Sequence, residues 1–161
     1  LKISGGRRRL SVAEFVDLAG VSIDDKFWVL LHADFLSDRD RRLFACDCAE
    51  QVLPLFEAKH PDDKRPRECI AVARRFAVGD AADEERSAAE SAAWAAARDA
   101  AGSVAWAAAR AAARAAAGAA WAAAGSAARS AAWSAARSAA QQEQLNLLRK
   151  YLGIDTKELS A

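Results

Sequence analysis

SAAESAAWAAARDAAGSVAWAAARAAARAAAGAAWAAAGSAARSAAWSAARSAAQ, residues 87–141, is written almost entirely in four-residue words. Positions two and three of each word are Ala, with Val104 the exception. The first position is small or Asp. The last position varies and carries, among others, Trp94, Arg98, Trp106, Arg110, Arg114, Trp121, Arg129, Trp133 and Arg137. Ala is the best helix former and Pro is absent from the stretch, so the reading is helix throughout. A four-residue word over-rotates an α-helix by about 40° each time. One long straight helix would therefore point its Trp residues in every direction. Two solutions remain. The helix breaks into shorter antiparallel pieces, with Gly102, Gly118 or Gly125 near the corners, or it stays continuous and winds right-handedly. The single register slip, between Gly118 and Trp121, marks the expected bend. In both solutions the paired Ala positions allow close backbone approach, and the fourth position faces outward or into the seams.

Outside the repeat the side chains are larger and the helices are conventional. Ser11 with Glu14 forms a capping box, and Gly20 is the expected stop. Ser22 with Asp25 opens a second helix, in which Phe27, Trp28, Leu30 and Leu31, followed by Phe35 and Leu36, read as core. Ser37 opens a third, carrying Phe44, Cys46, Cys48, Val52 and Leu53, with Pro54 late in it and Leu55 and Phe56 completing its apolar face. Residues 59–66 form a polar loop, and Pro66 suits the first turn of a fourth helix that ends at Gly79. Asp80 is the expected cap of the Ala-rich region, whose opening turn bears Asp83, Glu84 and Glu85. Beyond Gln141, Leu145, Leu147, Leu148, Tyr151 and Leu152 restore an ordinary amphipathic pattern, closed by Gly153. The expected architecture is all-α. A helical core spans 1–80, the repeat region spans 81–141, and a C-terminal helix in 142–161 packs back on the core.

Composition narrows the function. The 161 residues carry 23 basic and 22 acidic side chains, a net charge of +1. That balance gives no global case for nucleic acid or an acidic membrane, and no run of about 20 strongly apolar residues suggests a membrane span. Charge is nonetheless uneven: from Ser91 to Gln141, Arg98, Arg110, Arg114, Arg129 and Arg137 face Asp99 alone. The same segment holds Trp94, Trp106, Trp121 and Trp133. The three Cys form an odd set. With no secretory leader visible, they read as reduced thiols of a cytoplasmic protein.

No reaction is disclosed. Cys46 and Cys48 sit at a spacing that points to different sides of a helix, unlike the Cys-x₂₋₄-Cys of zinc sites, and read as buried thiols. His32 and His60 lack any nucleophile or metal motif around them. No phosphate-binding Gly loop is present. No catalytic residue, cofactor or metal is assigned. The Trp and Arg positions of the repeat are the candidates for partner contact, because these residue types dominate binding hot spots. The competing reading is that Trp fills seams between Ala-rich helices and Arg covers them with its aliphatic stem.

The segment ACDCAEQVLPLFEAKHPDDKRPRECIAVARRFAVGD, Ala45 to Asp80, resembles the all-helical putative immunity proteins of bacteria and phages, encoded near polymorphic toxins. Cys46, Cys48, Glu50, Pro54, Arg65, Pro66 and Gly79 carry the likeness, which spans roughly residues 39–152. The resemblance implies a non-enzymatic protein that binds a protein partner, a toxin. The residues themselves leave two alternatives open. One is nucleic-acid binding along the Arg and Trp track. The other is a structural or oligomerising helical element.

Overall fold

A computed structural model describes residues 9–32, 35–100, 104–116 and 137–154. The described residues form seven helices and no strand: α1 (Val12–Val16), α2 (Ile23–His32), α3 (Asp38–Glu57), α4 (Arg65–Val78), α5 (Asp83–Asp99), α6 (Val104–Ala115) and α7 (Arg137–Tyr151). The all-α reading holds.

Local chemistry sets the helix starts. Ser11 and Glu14 form a reciprocal capping box. Ser22 Oγ accepts from the Asp25 backbone and donates to its carboxylate at 2.7 Å. Ser37 does the same with Asp40. Each cap satisfies backbone donors that a helix N-terminus leaves orphaned. Pro66 lies in the first turn of α4, where its missing N–H costs nothing. Gly79 and Gly153 close α4 and α7 in the left-handed conformation, and the N–H groups of Asp80 and Ile154 return to the Arg75 and Arg149 carbonyls.

Five local expectations fail: the stop at Gly20, the cap at Asp80, and the burial of Trp28, Phe35 and Leu55. Helix α1 ends at Val16, well before Gly20: the Leu18 N–H returns to the Phe15 carbonyl in a tightened last turn, and the Asp17 carboxylate pairs with Arg149 of α7. Asp80 does not cap α5: it is consumed by the Gly79 turn, and Ala82 is the N-cap. Trp28 is 64% exposed rather than core. The buried face of α2 is Phe27, Leu30 and Leu31, spaced three and four apart, and Trp28 lies about 100° away. Its ring instead stacks on His32 one turn on, at 4.9 Å, and the His32 ring nitrogen meets the Trp28 carbonyl. Phe35 and Leu55 are likewise exposed, while their neighbours Leu36 and Phe56 are buried.

The core is built around α6. This helix packs against α3, α4 and α5, and Ala107, Ala108, Ala109, Ala111, Ala112, Ala113, Ala115 and Ala116 are all buried. Among its described side chains only Trp106, Arg110 and Arg114, the fourth positions of its words, are half-buried. A run of Ala can be enclosed on several sides because it lets neighbouring backbones come close, and the interaxial distance depends on the side chains at the contact. Helix α5 runs antiparallel to α6: Arg86 near its start reaches the Ala116 carbonyl, and Trp94 lies against Arg110 and Arg114. The expected corner at Gly102 and the expected bend at Gly118–Trp121 lie outside the described residues.

Helix α7 closes on the other side. It packs against α2 and α3 with Leu145 and Leu148 buried. The Phe44 ring meets Tyr151 edge-on and Phe27 at a tilt, both at 6.1 Å. Tyr151 donates to Asp47 at 2.7 Å, and burial with that hydrogen bond pushes its hydroxyl pKa upward, so it stays a donor. The buried side chains from Val16 to Leu148 form one continuous cluster.

Candidate partner-binding face

The nine candidate residues of the repeat divide into three groups. Trp94, Trp106, Arg110 and Arg114 come together where α5 packs on α6. The Arg110 guanidinium carbon lies 4.3 Å from the Trp106 ring centroid and 5.8 Å from that of Trp94. The Arg114 guanidinium lies 5.6 Å from Trp94. Arg98, one turn beyond Trp94 on α5, is exposed. Trp121, Arg129 and Trp133 lie outside the described residues. Arg137 starts α7, and its side chain lies outside them as well.

The grouping follows from the repeat. On α6 the fourth positions 106, 110 and 114 are one turn apart and drift by only about 80° over two steps, so they share a face. The antiparallel register then brings Trp94 of α5 onto that face. Trp94 and Trp106 are both half-buried and packed against the buried cluster. Cation–π contact of this kind contributes about 0.5–1 kcal/mol at a partly exposed site and holds the guanidinium on the ring.

The charge on this face stands apart from the rest. Elsewhere several arginines meet carboxylates. Arg74 pairs with Asp47 and Glu50, Arg65 with Asp63 and Asp99, and Arg86 with Asp83 and Glu90. The Arg65 fork holds the Asp63 carboxyl below its usual range. Among the described residues no carboxylate lies in ion-pair range of Arg98 or Arg110.

Three features escaped sequence reading. Arg86, 7% exposed, sits beneath the face and donates to the Ala116 carbonyl, placing a cation at the carbonyl end of α6. Arg42 and Arg86 both lie on the Phe76 ring, at 4.9 and 5.4 Å, and burial followed by the Arg86 charge pulls the Arg42 pKa down. The third is the network of Arg74, Asp47, Glu50 and Tyr151 that ties α4, α3 and α7 together. All are pairings across long sequence separations, with no local pattern to find them by.

The residues that look most chemical are enclosed. Cys46, Cys48 and Cys69 are free thiols with no exposed surface. Both flanks of the Cys-x-Cys pair are covered because α3 is packed on opposite sides. Burial pushes Cys46 and Cys69 up to about 12 and Cys48 well above its ordinary value. Cys69 Sγ donates to the Ala112 carbonyl at 3.4 Å. A thiolate is the reactive form. The folded chain is therefore expected to release almost no colour with a disulfide reagent at pH 8, and to titrate three thiols once urea is added. Rapid native reaction of any of them would show that the core opens. Among the described residues no group of three His, Cys, Asp or Glu side chains could hold a metal ion. No described helix is long and apolar enough to cross a membrane.

A family model described as Imm-5 like putative immunity protein matches residues 36–147. No curated protein and no solved structure matches the chain.

Proposed function

The chain belongs to the Imm-5 like putative immunity protein family, and from that premise we propose that it is a non-enzymatic protein that binds a protein partner, a toxin, through the outer face of α5 and α6. Trp94, Trp106, Arg110 and Arg114 form the centre of the contact, with Arg98 beside them. Trp121, Arg129, Trp133 and Arg137 occupy the same fourth position of the repeat words and are included in the proposed contact set. The observation that carries the reading is the pair of half-buried Trp rings bearing two guanidiniums where α5 packs on α6. Rigid aromatic anchors beside Arg are what interface hot spots are made of.

The product of a neighbouring toxin gene is the partner to test. Trp94→Ala and Trp106→Ala are each expected to weaken that complex by about 2 kcal/mol, the size of an interface hot spot, with helical circular dichroism unchanged. Full binding by a folded double variant refutes the assignment of the face.

A further inference from the structure

We propose that Arg110 and Arg114, seated on Trp94 and Trp106, form a receptor for carboxylate side chains, so that the partner meets this face with an acidic segment. The proposal rests on the reading of the α5–α6 face as the contact surface and names the chemistry of what it contacts. The first ground is contrast. Arg65, Arg67, Arg74, Arg75, Arg86 and Arg149 each pair with a carboxylate of the same chain. Arg110 is half-buried and, among the described residues, meets two Trp rings and no carboxylate. A ring face takes up the flat side of a guanidinium and restricts its motion. The N–H fork lies in the guanidinium plane, in the geometry that matches a carboxylate bidentately.

The second ground is convergence. Arg110 and Arg114 stand one turn apart on α6, and both lie within 6 Å of the Trp94 centroid. Like charges at that spacing repel. A carboxylate placed against the Trp94 ring would meet the Arg110 guanidinium with that of Arg114 beside it. Arg98 adds a further exposed positive charge nearby on α5.

The shape of the charge separates a carboxylate from a nucleic-acid backbone. A polynucleotide is held by many phosphates in series and needs an extended basic track. Here the positive patch is short within the described residues. On α5 the exposed Asp83, Glu84 and Glu85 lie at one end, and Asp99, bound to Arg65 at 2.7 Å, lies next to Arg98 at the other. A discrete acidic side chain or a short acidic run fits; a phosphodiester chain meets those carboxylates.

Fluorescence anisotropy with the full chain tests this, using a labelled polyglutamate peptide and a labelled oligothymidylate of equal charge. The peptide is expected to bind more tightly. Arg110→Gln and Arg114→Gln are each expected to lose about tenfold or more of that affinity, the worth of one charge-assisted pair. Arg110→Lys, which keeps the charge without the planar fork, is expected to fall between. The triple variant R7Q/R8Q/R9Q, which removes the basic run near the N-terminus, is expected to bind as the wild type does. Unchanged peptide affinity in a folded Arg110→Gln overturns the proposal. So does tighter, Arg110-dependent binding of the oligothymidylate, which makes phosphate the ligand. The same variants against the toxin partner separate the two readings. Loss with Trp94→Ala but not with Arg110→Gln keeps the contact face and removes the acidic partner. Retention with both removes the face.

Discussion

Phe44→Ala is expected to lower the free energy of unfolding by about 3–5 kcal/mol, the largest single-residue effect we anticipate. Phe44 has no exposed surface and stands where three helices meet. Its ring tilts against Phe27 of α2 and receives the edge of Tyr151 of α7, each at 6.1 Å. The cost has two parts. Transfer of the ring out of water is lost, and the cavity left behind is bounded by helices that are themselves pinned. Helix α7 is fixed next to the site by the Tyr151 hydrogen bond to Asp47 and by the Arg149–Asp17 pair, so it cannot easily collapse into the space. A domain of this size unfolds with about 5–15 kcal/mol, so the variant is left with a small margin. Urea unfolding followed by circular dichroism gives the measurement, read as a shift in midpoint at constant slope. Tyr151→Phe supplies the comparison. It removes only the hydroxyl, leaves Asp47 paired with Arg74, and is expected to cost about 1 kcal/mol. In the double variant the two losses should not add, because both residues share one contact. A Phe44→Ala loss below about 1.5 kcal/mol would show that α7 is not anchored there.

What could be read from the chain was local or periodic. Ser11, Ser22 and Ser37 each announce a helix because the cap and its partner lie three residues apart. The phase of the repeat was legible for the same reason. With Ala at positions two and three of each word, the side of α6 that must be buried and the side that carries Trp106, Arg110 and Arg114 follow from the helix angle alone. The membership of Trp94 in that group did not follow, since it depends on the register between α5 and α6. Nothing in four-residue words of near-identical composition fixes one register over another. Trp28 was misread because Phe27, Trp28, Leu30 and Leu31 are all apolar and span most of a turn. Which of them faces inward is decided by the helices packed against α2. The Arg149–Asp17 pair and the reach of Arg86 to the Ala116 carbonyl were invisible too, as they span 132 and 30 residues.

Ala108→Leu with Ala112→Leu tests the central claim about the repeat, that its constant side is a close-packing surface. Both positions have no exposed surface, and they lie one turn apart on the helix that α3, α4 and α5 enclose. A Leu at either site adds three carbon atoms where no space exists. The neighbours can give way only by moving a backbone, because Ala-lined contacts hold few side chains that could change rotamer. Overpacking of this kind costs about 1–3 kcal/mol per site. The pair is expected to cost about 2–6 kcal/mol, less than additive if one displacement of a neighbouring helix accommodates both. Intrinsic helix propensity cannot account for such a loss, since Leu is nearly as good a helix former as Ala. Ala88→Leu, at an exposed position of α5, is the control and should stay within about 0.5 kcal/mol of the wild type. Thermal unfolding of the three proteins decides the matter. A double variant as stable as the wild type would mean that α6 is not enclosed and that the Ala positions are there for helix propensity alone. A large loss ties the Ala side to the function proposed for the other side. Only backbones held this closely bring Trp94 of one helix within 6 Å of Arg110 and Arg114 of the next. The stability variants should then lose partner binding through the fold, whereas Trp94→Ala should lose it with the fold intact.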